Sequence, residues 1–217
     1  MPMTNNPYIA VIAAMVLGCL MYFEAKADFL EGCDPSKAEK ATYMVVMTDQ
    51  QDLIASIGTA IAISPTQAIT AFHVVIDAPD DPDEGQEFNL YLKPDLLEES
   101  VKAYTLKEDE DLDLALIHGD FPHYLDFHQE IPDAYSSVWS IGFPHGIAKI
   151  LNKGILQALQ REEYISTLDI APGSSGGALL ICNDGDFEVL GINLRAYPDG
   201  YAFSISAGTI QYFIDEL

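Results

Sequence analysis

Positive charge is scarce in this sequence: 10 Lys plus Arg face 34 Asp plus Glu over 217 residues, a formal net charge of −24. Such a surface repels phosphate backbones, which argues against a nucleic-acid partner. Cysteine is scarcer still, limited to Cys19, Cys33 and Cys182. No CxxC spacing occurs, so a thiolate zinc site is not expected, and no motif calls for another metal or a cofactor. No internal repeat or low-complexity segment stands out. What is plentiful is apolar residues, at 49%. That is enough for a chain of this length to bury a core as one large domain or two small ones.

Long unbroken apolar runs are also rare, with one exception. Tyr8 to Phe23 (YIAVIAAMVLGCLMYF) carries no charge and is followed by AKA at Ala25–Ala27. The pattern fits an export signal over residues 1–27, cleaved after Ala27, although MPMTNNP offers only the α-amino group as positive charge. The alternative is an uncleaved membrane anchor over 8–23, which is short for a span. Cleavage leaves an exported chain, periplasmic or secreted, that starts at Asp28 and has no stable membrane association. It also removes Cys19 and leaves Cys33 and Cys182 where disulfides persist, either bridged or as two free thiols.

From about residue 40, apolar stretches of strand length alternate with polar or proline breaks. The first set is GTAIAIS (58–64), AITAFHVV (68–75), EFNLYL (87–92), SVKAYTL (100–106) and LDLALIHG (112–119). Residues 119–134 contain two prolines and little periodicity, and read as a linker. The second set is SVWSIGF (137–143), ILNKGILQAL (150–159), EEYISTLDI (162–170), GALLIC (177–182), EVLGINL (188–194) and YAFSI (201–205). Asn183-Asp184-Gly185-Asp186 signals a hairpin. Ser206 is placed to cap a closing helix that carries Ile210, Phe213, Ile214 and Leu217. The expected fold is all-β: two six-stranded antiparallel β-barrels, 28–118 and 135–217, with a short C-terminal helix. The acidic run DAPDDPDEGQE (77–87) reads as a solvated loop without the spaced oxygen ligands of a calcium site.

Chemistry concentrates in APGSSGGALL (171–180). A Ser/Gly cluster alone is a turn, and a serine becomes a nucleophile only with a base and a group that orients it. Five histidines are available, and His118, His123 and His128 lie in or beside the linker, where a solvated role is simplest. His145 sits in a turn. His73 closes the strand AITAFH, which can aim it. The carboxylate best placed to orient it is Asp113, heading an apolar strand where an acid needs a partner. Asp109 and Asp111 compete but belong to a solvated stretch. The order His73, Asp113, Ser175 excludes an α/β-hydrolase elbow, since no histidine follows His145.

TAFH, DLALI and PGSSGG together resemble the three motifs of the chymotrypsin-like, or trypsin-like, serine proteases. The second half, through SIGFPHGIAKILNKGILQAL, ISTLDIAPGSSGGALL and EVLGINLRAY, is most similar to the HtrA/Deg type. That resemblance implies Ser175 as nucleophile, His73 as general base and acid, and Asp113 as the orienter of His73. It implies an oxyanion hole from the N–H groups of Gly173 and Ser175, and polypeptide substrates cleaved through an acyl-enzyme. Ser174 replaces the aspartate that many relatives use in zymogen activation. The chain ends at Leu217, so the PDZ domain usual in HtrA proteins is not expected. By the same likeness Leu194, Arg195 and Ala196 wall the specificity pocket, and Asp169 falls where trypsin-like members place an acid at its base. An Asp169 lining the pocket favours Lys or Arg before the scissile bond. Neutralisation by Arg195, or an outward turn, removes that preference. The reading is an exported serine endopeptidase; the alternatives are a catalytically silent binding module of the same fold and an esterase.

Overall fold

Residues 42–49 (TYMVVMTD) form a strand without the alternation that usually reveals one, because seven successive side chains are buried. Tyr43, Val45 and Met47 point into the main core, while Met44 and Val46 pack against Phe143 from the other half of the chain. A strand covered on both faces reads as a plain apolar run.

In the computed structural model, described residues are 28–76 and 88–216, preceded by Met15, Val16, Gly18, Met21, Tyr22, Ala25 and Lys26. The signal or anchor read over 1–27 lies almost wholly outside the described residues, and the acidic run 77–87 entirely so. Among the described residues no helix is long and apolar enough to cross a membrane.

Two closed antiparallel barrels of six strands each make up the fold. The first contains β1 (Thr42–Asp49), β2 (Ile54–Ala62), β3 (Gln67–Thr70), β4 (Phe88–Lys93), β5 (Val101–Asp109) and β6 (Leu114–His118) in the order β1-β2-β3-β6-β5-β4. The second contains β7 (Ser137–Gly142), β8 (Ile150–Gln160), β9 (Glu163–Ser166), β10 (Ala178–Asn183), β11 (Asp186–Ala196) and β12 (Ala202–Ser206) in the order β10-β11-β12-β9-β8-β7. Among the described residues, short α-helices accompany the barrels at α1 (Ser36–Ala41), α2 (Phe72–Val75) and α3 (Ala207–Asp215). The Ser206 hydroxyl accepts from Thr209 N–H at the start of α3, whose Ile210 and Phe213 are buried. Asp184 and Gly185 turn β10 into β11 with φ of 50° and 91°, as a two-residue hairpin requires.

Segment 119–134 is docked along both barrels. Phe121 N–H and Leu125 N–H donate to Pro65 and Ala62 carbonyls of the first barrel, and His128 N–H to Val189 of the second. The His128 ring meets Glu188 at 2.7 Å with 12% of its side chain exposed, so the solvated role expected for it is wrong. His118 stacks on Tyr104, and His123 is exposed.

The two chain ends cross between the barrels. Residues 29–33 lie on the second barrel: Trp139 Nε1 donates to Phe29 O, and Lys153 pairs with Glu31 at 2.8 Å. Cys33 is joined to Cys182 of β10 by a disulfide with Cα atoms 5.9 Å apart. From there α1 leads into β1 of the first barrel. Reciprocally, Lys107 of β5 donates to Phe213 O at the end of α3 and lies 4.7 Å from that ring. The disulfide closes 149 residues of sequence, and a loop of that length implies a contribution of about 2–5 kcal/mol. Cys182→Ser is therefore expected to lower the urea midpoint clearly; an unchanged midpoint would show that the other contacts of the arm suffice.

Candidate active site

Asp113 is not in a strand. It precedes β6 in a left-handed conformation, φ 54°, at the end of a turn in which Asp109 Oδ1 accepts Leu112 N–H. Strand alternation therefore does not aim it, although it reads as the head of an apolar strand, and all of Leu114–Ile117 is buried. The turn does. It sets the Asp113 carboxylate against His73, which lies in the single turn α2 rather than at the end of a strand. Oδ1 accepts the His73 backbone N–H at 2.9 Å, and the two carboxylate oxygens lie 3.0 and 2.8 Å from His73 Nδ1. Phe72 N–H donates to Asp113 O as well. Ring and backbone of His73 are thus held by one residue, with Nδ1–H the donor and Nε2 left as the acceptor.

The 172–177 loop is shaped by backbone contacts that leave no room for side chains. Gly173 has φ 92°, and a Cβ there would lie 2.5 Å from Phe143 O. His145, exposed in its turn, uses its backbone N–H to hold Pro172 O at 2.6 Å. In a trans peptide the N–H opposes the C=O, so Gly173 N–H points away from that turn. Ser174 O is likewise held by Gly177 N–H. Among the described residues neither Gly173 N–H nor Ser175 N–H donates to a protein acceptor. Ser174 is 4% exposed and its hydroxyl accepts from Ala171 N–H, away from the cleft. The Ser175 hydroxyl donates to Leu194 O at 3.2 Å. No hydrogen bond joins it to His73 among the described residues.

A cavity of about 360 Å³ opens at Ser175, walled by Ile170, Ala171, Pro172 and the segment Leu194–Ala196. Asp169 does not line it. That residue is exposed, and its backbone O accepts Asn152 Nδ2 at 2.9 Å. Arg195 does not neutralise it either: the guanidinium makes a two-pronged pair with Glu163, both contacts 2.7 Å, over the Phe203 ring. Burial disfavours its charge, but the Glu163 carboxylate outweighs that and holds Arg195 above the usual guanidinium range. No group of three or more His, Cys, Asp or Glu suited to a metal occurs among the described residues.

The family model of the trypsin-like peptidase domain matches residues 58–192, more than half of the chain and a span containing His73, Asp113 and Ser175. The chain belongs to the trypsin-like peptidase family. The matched model is that of a peptidase domain, the class of hydrolase that cleaves peptide bonds. Among solved structures, the serine endoprotease from Yersinia pestis superposes with TM-score 0.69 at 22% identity, covering 84% of this chain and 64% of that one. The Rv3671c protease of M. tuberculosis in its active form gives TM-score 0.68 at 21% identity, covering 82% and 81%. Its inactive form gives 0.67 at 21%, covering 84% and 91%. These likenesses concern the fold. A search of curated proteins returns no match.

Two residues that position the peptidase's serine loop escaped sequence reasoning. Thr59 of β2 is fully buried; its hydroxyl donates to Gly173 O at 2.8 Å and accepts Phe143 N–H at 3.0 Å, while its N–H donates to Ser175 O. Asn193 of β11 donates to Ser140 Oγ and Ala178 O, accepts from Ser204, and exchanges backbone bonds with Gly176 and Gly177. A polar residue within the apolar GTAIA or GINL was the available signal. Thr59→Val keeps the shape but strands a buried N–H and a carbonyl, an expected loss of about 1–3 kcal/mol. With Gly173 no longer fixed, kcat/KM should fall about 10- to 100-fold, less than the ~10²- to 10³-fold cost of removing an oxyanion donor outright. Denaturation and peptide turnover together check it; unchanged turnover would remove Thr59 from this role.

Proposed function

We propose that this chain is an exported serine endopeptidase working through an acyl-enzyme, with Ser175, His73 and Asp113 as its triad. The clamp of Asp113 on His73 carries the reading, because it fixes the tautomer that leaves Nε2 basic. Rotation about the Ser175 Cα–Cβ bond, a change of staggered rotamer, moves Oγ from Leu194 O toward Nε2. Nε2 then takes the Ser175 proton as Oγ attacks the substrate carbonyl. The N–H groups of Gly173 and Ser175 stabilise the resulting oxyanion. His73 gives the proton to the departing amine, and water, activated by the same nitrogen, releases the acyl group.

The cavity at Ser175 offers apolar walls and no carboxylate, since Asp169 lies outside it. The residue before the scissile bond is accordingly small and apolar rather than Lys or Arg. The disulfide supports export, since such bonds persist outside the reducing cytosol. One observation favours the catalytically silent module: Ser175 bonds to Leu194 O instead of His73. A fluorophosphonate probe, followed by N-terminal profiling of peptides released from a denatured protein mixture, separates the two. Labelling and cleavage that vanish in Ser175→Ala support the peptidase; binding without either supports the module, and ester turnover alone supports an esterase.

A further inference from the structure

Residues 143–149 connect β7 to β8 and press against the back of the serine loop. Pairing of Gly142 with Ile150 closes the base of this connection. On its inner side His145 N–H holds Pro172 O. Phe143 O, His145 N and Gly146 N lie 2.5, 3.0 and 3.2 Å from where a Cβ on Gly173 would stand. A shift of the connection therefore turns the Pro172–Gly173 peptide, and with it the Gly173 N–H. His145 reaches Pro172 through a left-handed conformation, φ 57°, within the 3₁₀ turn Pro144–Gly146. Such a conformation in a residue other than glycine persists only where its surroundings hold it.

Lys149, the last residue of the connection, supplies a clasp. Its ammonium lies 5.4 Å from the centre of the fully buried Phe143 ring, so the last side chain covers the first. The same ammonium donates to Glu39 O of α1. That oxygen belongs to the last turn of a helix, where carbonyls have no partner within the helix. Carboxylates are close at hand, because Lys149 lines a cavity of about 270 Å³ together with Glu39 and Asp95. Among the described residues it nevertheless makes no ion pair, and its bond is to the backbone oxygen. Burial disfavours its charge more than Asp95, Glu39 and Glu98 favour it, and holds the amine below the usual lysine range. A cation placed this way adds little to stability, since folding itself disfavours the charged form. What the placement does supply is geometry.

On the peptidase reading above, we propose that Lys149 is a positioning residue for the oxyanion hole. It fastens the 143–149 connection to its own first residue and to α1. His145 N–H then keeps Pro172 O, and Gly173 N–H stays turned toward the substrate carbonyl oxygen. The short helix α1 thereby acts on the reaction, although among the described residues none of its side chains lines the cavity at Ser175.

The test compares wild type with Lys149→Met, which keeps the length of the side chain without its charge, and Lys149→Arg, which keeps a cationic donor. Lys149→Met should lower kcat by about tenfold or more, short of the ~10²- to 10³-fold cost of removing an oxyanion donor. KM should stay nearly unchanged. Affinity for a peptide boronate, a mimic of the tetrahedral intermediate, should fall in step with kcat/KM. The urea midpoint should hold or rise, as expected when a buried cation gives way to an apolar side chain. Lys149→Arg should recover most of the activity. Unchanged kcat in Lys149→Met, a loss confined to KM, a loss matched by a lower urea midpoint, or no recovery in Lys149→Arg each overturns the proposal. Backbone amide shifts of His145 and Gly173 in ¹⁵N-labelled protein read the clasp without turnover. Shifts that move in Lys149→Met and return in Lys149→Arg uphold the clasp even if wild type neither labels nor cleaves, a result that sinks the peptidase reading alone. Shifts unmoved in Lys149→Met overturn the clasp and leave that reading intact.

Discussion

Ser175→Ala and His73→Ala are each expected to lower kcat by about 10⁶-fold, with no further loss when the two are combined. The magnitude is that of subtilisin, where removing either member costs nearly as much as removing the whole triad. The physical reason transfers. Without Nε2 the hydroxyl keeps its proton and is a poor nucleophile, and without the hydroxyl the base has nothing to activate. What remains is the stabilisation offered by the Gly173 and Ser175 N–H groups, which acts on direct attack by water. Ser174→Ala should by contrast keep most activity, since that hydroxyl is buried and turned to Ala171 N–H. Peptide turnover of the three variants checks this. Equal losses at 174 and 175 would mean that the loop acts through its shape rather than through one nucleophile.

Gly176→Ala should also damage activity, by less than loss of a triad member, and should be more damaging to the fold. A Cβ at 176 would lie 2.1 Å from Thr59 O, 2.2 Å from Thr70 Oγ1 and 2.9 Å from Ala71 N. These atoms cannot yield independently: Thr70 Oγ1 donates to Thr59 O, and Ala71 begins the turn that carries His73. The residue also has φ 82°, which L side chains rarely adopt. Relief of the clash must push the serine loop away from the first barrel, separating Ser175 from His73. The expected cost is about 4 kcal/mol or more, at the upper end for single substitutions. A displacement near 1 Å should cost at least ~100-fold in kcat. Gly185→Ala is the matched control: its φ of 91° carries the strain, but a Cβ there meets nothing within 4 Å. Urea denaturation with probe labelling of all three proteins reads both effects. Equal destabilisation at 176 and 185 would reduce the Gly176 requirement to backbone conformation alone.

How much of this was legible beforehand differs by element. The hairpin at Asp184-Gly185 was readable because turn chemistry is local, and so were the strands that alternate. β1 was not, since the second barrel covers the face that would otherwise be polar. His73 and Asp113 were readable as types in order, yet the reason given for their aim was wrong in both. A one-turn helix and a left-handed residue orient them, and neither leaves a periodic trace. Asp169 shows the opposite limit. Its distance from Ser175 in sequence was right for a pocket acid, but whether a side chain turns in or out depends on how β9 ends. β9 stops at Ser166, well short of the expected 170. Thr59 and Asn193 stood out only as polar residues in apolar strands: the partners of Thr59 lie across the barrel interface, up to 114 residues away, and those of Asn193 on other strands and the serine loop of its own barrel.

The crossing of the chain ends carries a consequence for how the protein is made. Cys33 leaves the ribosome 149 residues before Cys182, a wait on the order of ten seconds at ordinary rates of synthesis. Throughout that interval its thiol has no native partner, and for most of it the arm that bears it has no surface to rest on, because Trp139 and Lys153 follow Cys33 by 106 and 120 residues. The first barrel can close, but its leading segment stays without its covalent tie until β10 arrives. Correct pairing is therefore among the last events of maturation, and the newborn chain passes through a stage at which any small disulfide in its surroundings can cap Cys33.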